Sequence, residues 1–147
     1  MSNALKIHED VLYIAFASNE KSLLDAHFGS CPNLVIYRVT ATASAHINTV
    51  QLPHYEGHNE QKITDRLNAL SNCFAVYCLA CGNPVRQRLL AQGTRVVIHP
   101  QINSIASLII EIQGNWPGKI ARRQARQLSR KQQPDYFATL ADGAWDE

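Results

Sequence analysis

Much that would announce a chemistry is missing from this sequence. There is no glycine-rich phosphate loop, no G-x-S-x-G, no H-E-x-x-H and no pair of C-x-x-C motifs at zinc-ribbon spacing. P-loop nucleotide binding, hydrolysis by a nucleophile elbow, zincin proteolysis and a closed structural zinc site are therefore set aside. No apolar run reaches the roughly 18 residues that a membrane helix needs. The first residues, Met1-Ser2-Asn3-Ala4-Leu5-Lys6, lack the charged and apolar regions of a signal peptide, so a cytoplasmic protein without membrane contact is expected. Charge is scarce too, at 18% of residues against 46% hydrophobic ones, a balance that fits a globular chain and not a disordered one. From Gln113 to Pro134 acids are absent: Lys119, Arg122, Arg123, Arg126, Arg130 and Lys131 stand alone, and Asp135, Asp142, Asp146 and Glu147 follow. The net charge of +2 conceals this basic block and acidic end.

Four cysteines are present, Cys31, Cys73, Cys78 and Cys81. In a reducing compartment their spacing reads as metal binding or redox chemistry before it reads as a disulfide framework. The 147 residues suit one domain with a sizeable core, bounded here as 1–113, with 114–147 as a basic helix and acidic tail.

Hydrophobic periodicity places the elements. Val11 to Ala17 reads as a strand, Leu34 to Thr40 as a second and Ala45 to Leu52 as a third, the last two joined as an antiparallel hairpin by Ala41-Thr42-Ala43-Ser44. Ile63, Leu67 and Leu70 recur at helical spacing from about Asn59 to Ser71. Cys73 to Cys78 is a continuous apolar run, as a strand buried on both faces requires. A helix follows, with Asn83 as N-cap, Pro84 at the first helical position and Gly93 at its end. Arg95 to Ile98 is the last strand, and Ile105, Leu108, Ile109 and Ile112 line a helix that Gly114 and Pro117 end. This β-β-β-α-β-α-β-α order predicts an α/β fold: a ribonuclease H-like mixed five-stranded sheet in the order 3-2-1-4-5 with flanking helices. The nuclease chemistry of that shape is not expected, since the first strand reads Tyr13-Ile14-Ala15-Phe16 and the carboxylates that hold two magnesium ions are missing. Lys119 to Gln132 has a thin apolar stripe, Ile120, Ala125 and Leu128. It is expected to be a solvated or partner-docking helix, because no base-reading or stacking module accompanies it as nucleic-acid binding would require.

Two loops carry the candidate chemistry. In the expected sheet the first and fourth strands are parallel neighbours, so the loops after them leave from one edge, where open α/β sheets bind ligands. The first, Ser18 to Pro32, is about three times the usual connection of roughly 5 residues. It holds Asp25-Ala26-His27-Phe28-Gly29-Ser30-Cys31. Imidazole and thiolate suit borderline metals and iron–sulfur clusters, and glycine permits close approach of the backbone. The second is Cys78-Leu79-Ala80-Cys81-Gly82, whose position before a helix N-terminus favours thiolate. Cys78 also continues an apolar strand, so a buried structural thiol is an equal reading of it, and thiol–disulfide exchange through Cys78 and Cys81 is a third. Cys73 reads as core. Cys31 reads as a second ligand or as packing under the loop, and His54 and His58, around Gly57, as solvated surface.

These segments together, Ala15-Phe16-Ala17-Ser18, then His27-Phe28-Gly29-Ser30, Leu34-Val35-Ile36-Tyr37 and Val76-Tyr77-Cys78-Leu79-Ala80-Cys81-Gly82, resemble the NifX/NafY-like family of nitrogenase cofactor-biosynthesis carriers. The likeness runs from about Val11 to Ile112, and Gly143-Ala144-Trp145-Asp146-Glu147 is similar as well. The resemblance implies a small non-enzymatic protein that binds the iron–molybdenum cofactor or its iron–sulfur precursor as cargo. It also implies partners among the assembly scaffold and cluster-synthesis proteins. The family's cofactor-binding histidine falls on His27, within His27-Phe28-Gly29-Ser30. Cys78 and Cys81 are expected as accompanying metal ligands on a weaker footing than His27, since not all family members carry that motif, and no role transfers to Cys31. Because such clusters are anionic, the helix start at Asn83 together with Arg86 adds a favourable field. A monomer or weak dimer is expected, with neither nucleic acid nor membrane as partner.

Overall fold

A computed structural model describes residues 10–53, 60–118 and 120. Five strands, β1 (Leu12–Ser18), β3 (Asn33–Val39), β4 (Ser44–Gln51), β5 (Ala75–Cys78) and β6 (Arg95–Ile98), form one mixed sheet in the order β4-β3-β1-β5-β6. Two short strands, β2 (Leu23–Leu24) and β7 (Asn103–Ser104), pair antiparallel beside it. The helices are α1 (Glu60–Ala69), α2 (Asn83–Ala91) and α3 (Ile105–Gly114). The mixed sheet with flanking helices expected from the periodicity is thus present.

β1 runs antiparallel to β3, from Leu12 opposite Val39 to Ser18 opposite Asn33. On its other side it runs parallel to β5, from Ile14 opposite Ala75 to Phe16 opposite Tyr77. A strand covered on both faces needs apolar residues at every position, and in β1 only Tyr13 is exposed. Alternate side chains feed two cores. Ala15, Ala17, Leu34, Val76 and Cys78 pack with Leu67 and Leu70 at α1 and Leu89 of α2. Leu12, Ile14, Phe16, Val35 and Tyr77 pack with Ile105, Leu108, Ile109 and Ile112 of α3. The first core also takes in Ala26, Phe28 and Cys31. The two alanines of β1 leave the volume that this loop fills.

Several boundaries differ from the sequence reading. The connection from β1 to β3 is not plain loop, because Leu23 and Leu24 pair with Ser104 and Asn103 across a separation that no local pattern reveals. Cys73 and Phe74 precede β5 and do not belong to it. The N-cap of α2 is Gly82 and not Asn83: Arg86 N donates to Gly82 O at 3.0 Å, so the Gly82 carbonyl opens the helix and Asn83 is its first residue, with no side-chain cap. At the other end Gly93 takes φ 96°, the left-handed conformation that suits glycine after a helix. Asn115, not Gly114, caps α3, and a helical turn at 116–118 contains Pro117. A first turn tolerates proline because its N–H has no partner there. His54, His58, the basic stretch from Lys119 apart from Ile120, and the acidic end lie outside the described residues.

Candidate functional site

Parallel pairing brings the carboxyl ends of β1 and β5 to one edge of the sheet. The chain leaving β1 is tied down at once. Ser18 Oγ accepts from Lys21 N at 2.6 Å, and Asn19 donates from its backbone to Asp25 Oδ1 at 2.7 Å and from its side chain to Asp25 O at 3.0 Å. The next residues run along the turn that follows β5. Leu79 N donates to Ala26 O at 3.0 Å, and Phe28 N donates to Ala80 O at 2.8 Å. These two bonds bracket His27, whose side chain is exposed while Ala26 and Phe28 on either side are buried. Phe28, 1% exposed, is the plug that orients the loop; burying such a ring contributes about 1.5–3 kcal/mol. Gly29 and Ser30 form an exposed turn, with Ser30 N donating to His27 O at 3.3 Å. A Cβ built at Gly29 or at Gly82 would meet nothing within 4 Å, so each glycine borders open space.

The two thiols of Cys78 and Cys81 interact and are unequal. Cys78 is fully buried; its hydrogen bond to Cys81, then its burial, push its pKa far up. Cys81 is half-buried, and its pKa is lowered by the same bond from Cys78, opposed by burial and helped by the Arg86 guanidinium. Of the two, Cys81 is the more readily ionised; as a thiol its Sγ donates to Gly82 O at 3.6 Å. Asn83 and Arg86 lie exposed in the first turn of α2, immediately beyond Cys81. Cys31 is buried under the loop, where its thiol donates to Phe28 O at 3.4 Å and burial pushes its pKa up to about 11. Cys73 is core, and burial pushes it up to about 12. Among the described residues no three or more His, Cys, Asp or Glu side chains gather into a set that could hold a metal ion. His27, Cys78 and Cys81 thus sit on adjoining segments of one edge without forming a closed cage.

The family model described as "Dinitrogenase iron-molybdenum cofactor" matches residues 10–115, the span that holds the sheet and both loops. Protein NifX of Klebsiella pneumoniae is 35% identical over 136 residues, covering 91% of this chain and 85% of that protein. The chain belongs to the NifX family. Protein NifX of Azotobacter vinelandii is 33% identical over 140 residues, covering 93% of this chain and 89% of that one. A solved structure titled "Crystal structure of PH0822" shares the fold, with a TM-score of 0.57 at 17% identity over 71% of this chain and 92% of that one.

One residue at this candidate edge of the NifX-family chain carries no motif. Arg66 of α1 is 4% exposed and lies beneath the loop, donating from Nε to Phe28 O at 3.0 Å and from Nη2 to Cys31 O at 2.7 Å. Its Nη1 is buried without a hydrogen-bond partner. Leaving a buried charged donor unsatisfied costs about 1–3 kcal/mol or more, which offsets part of what the two made bonds contribute. A signal was available: Ile63, Arg66, Leu67 and Leu70 follow the i, i+3, i+4, i+7 pattern, with arginine at a position on the apolar face.

A concavity of about 680 Å³ opens at the opposite end of the sheet, where Tyr13, Ile47, Cys73 and Phe74 contribute to its walls. It lies at the amino ends of the parallel strands, away from His27 and the thiol pair. Among the described residues no helix is long and apolar enough to cross a membrane.

Proposed function

We propose that this chain is a carrier that binds the iron–molybdenum cofactor or its iron–sulfur precursor and hands it on during nitrogenase cofactor assembly. The observation that supports it is the pair of backbone hydrogen bonds that hold exposed His27 alongside the turn from Cys78 to Cys81. The His27 imidazole and the Cys81 thiolate are the accessible donors, and both suit the metals of an iron–sulfur cargo. Cys78 joins as a ligand when its proton leaves, so binding that uses it releases a proton. Phe28 anchors the loop, Gly29 and Ser30 leave room for a bulky cluster, and Asn83 and Arg86 place the start of α2 and a cation beside an anionic cargo. An incomplete ligand set suits a protein that must release what it holds.

On this reading the protein makes no bond within its cargo and is not an enzyme. It works in the cytoplasm as a monomer or weak dimer, on a sheet of ribonuclease H-like type, with the assembly scaffold and cluster-synthesis proteins as partners. Anaerobic incubation of the apo-protein with isolated cofactor, then gel filtration with iron, sulfide and molybdenum analysis, tests it. About one cluster per chain co-elutes, and the His27→Ala/Cys78→Ser/Cys81→Ser triple variant loses it; undiminished binding by that variant would sink the site.

The unequal, interacting thiols of Cys78 and Cys81 support a second reading, disulfide exchange. Cys81 thiolate would bond one sulfur of a substrate disulfide and expel the other as thiolate. Cys78 would then pass its proton to that thiolate and displace the mixed disulfide, leaving Cys78 and Cys81 oxidised and the substrate reduced. Failure to accelerate the reduction of insulin over the rate with dithiothreitol alone dismisses this reading.

A further inference from the structure

Arg66 is the only charged residue in the buried interior among the described residues, and the carrier reading above assigns it no role. Its two made hydrogen bonds go to carbonyls, not to a carboxylate, and the described ion pair nearby joins Arg88 to Glu60. Among the described residues no carboxylate pairs with the guanidinium under the 28–31 turn. A clamp alone would not require this. The same protein ties the carbonyls of Ser18 and Asn19 with the neutral amide of Asn33, at 3.3 and 3.4 Å. Beneath Phe28 and Cys31 a full cation does the tying, with one nitrogen left over. In a low-dielectric interior such a charge is felt over several ångströms with little screening. The neighbouring thiol registers it, since Arg66 is the largest influence opposing the effect of burial on Cys31. Above the cation the turn at Gly29 opens into free space.

We propose that Arg66 is the built-in counter-charge of the loop: a positioning residue whose guanidinium shapes residues 28–31 through their carbonyls and offers its charge to a multiply anionic metal–sulfur ligand seated over His27, Gly29 and Ser30. The identity of that ligand rests on the carrier reading; the anion site does not. Loading with an anion relieves the buried charge, and loss of the cargo restores it, which favours a site that is stable empty yet attracts its ligand.

The test uses the full chain and its Arg66→Lys and Arg66→Gln variants, with fold checked by amide spectra. Two probes are titrated: isolated iron–molybdenum cofactor at several salt concentrations, and tetrathiomolybdate, an iron-free dianion, followed at the Arg66 Nε–H and the 29–30 amides. The expected result is a cofactor affinity at least tenfold lower and less salt-dependent in Arg66→Gln, with partial recovery in Arg66→Lys, which keeps charge but not the fork. A folded Arg66→Gln that binds cofactor within twofold of wild type, with the same salt dependence, overturns the inference and leaves the carrier reading standing. If wild type ignores the cofactor while tetrathiomolybdate moves those signals, and does not in Arg66→Gln, the carrier reading falls and the anion site stands. If neither probe moves them, both fall. Should Arg66→Gln fail to fold, the tetrathiomolybdate titration of wild type decides alone.

Discussion

Cys78 and Cys81 have the same side chain and opposite chemistry, and the difference is one of depth. Cys78 ends a strand whose four residues are all buried, whereas Cys81 is half-buried just ahead of the N-cap of α2. Their mutual interaction and the Arg86 guanidinium lower the pKa of Cys81, while the same interaction and burial raise that of Cys78. Iodoacetamide at neutral pH should therefore alkylate Cys81 and leave Cys31, Cys73 and Cys78 untouched, as peptide mass spectrometry will show. The pH midpoint of that reaction lies below the ordinary value of 9.0. Cys78→Ala removes the donor and moves the midpoint up; an unmoved midpoint would mean that the bond does not stabilise the thiolate. Residue type and spacing in the C-x-x-C segment were legible in the sequence, but the side on which the proton rests was not, because it depends on burial.

The turn from α2 into β6 shows how elements are joined. Gly93 reverses the chain and Thr94, fully buried, places Oγ1 3.1 Å from both Leu70 O and Cys73 O. One hydroxyl thus links the chain just beyond α1 to the approach of β5, while Gln92 Nε2 donates to Leu67 O at 3.0 Å. Thr94→Val keeps the shape and removes the hydroxyl donor, leaving Leu70 O its bond from Cys73 N at 2.9 Å but Cys73 O without the hydroxyl, so a loss of about 1–3 kcal/mol is expected in urea unfolding, with Thr94→Ser clearly milder. In the same core Phe28 holds the loop that carries His27. Phe28→Ala should cost about 3–5 kcal/mol and speed hydrogen exchange at the 28 and 79 amides, which bond across the two loops. Glycine and proline marked the ends of α2 and α3 correctly to within a residue or two, the usual uncertainty of local signals. The two-residue strands β2 and β7 carried no such mark, since only their distant partner makes them strands.

Taken together, the sheet divides the interior into two cores and buries three of the four thiols. This gives the whole molecule an alkaline weakness. Unfolded thiols ionise near pH 9, whereas Cys31 and Cys73 in the folded chain ionise near 11 and 12. Between those values the unfolded chain binds fewer protons than the folded one, so stability falls as pH rises and is unaffected by these groups below 9. The urea midpoint is expected to drop steadily from pH 9 to 11, and less steeply in Cys73→Ala; a flat profile would contradict the burial of both thiols. The sequence by itself determined the local pieces: strands from continuous apolar runs, helices from apolar spacing, and the residue types at the candidate edge. It also carried the family resemblance, because the His27-Phe28-Gly29-Ser30 and Cys78 to Gly82 segments are contiguous and readable as motifs. Tertiary structure decided how those motifs meet and what supports them. Arg66 reaches carbonyls 38 and 35 residues away, and β2 finds β7 across most of the domain. Burial, the placement of a proton and the position of a buried charge are properties of distance in space, which spacing along a chain does not encode.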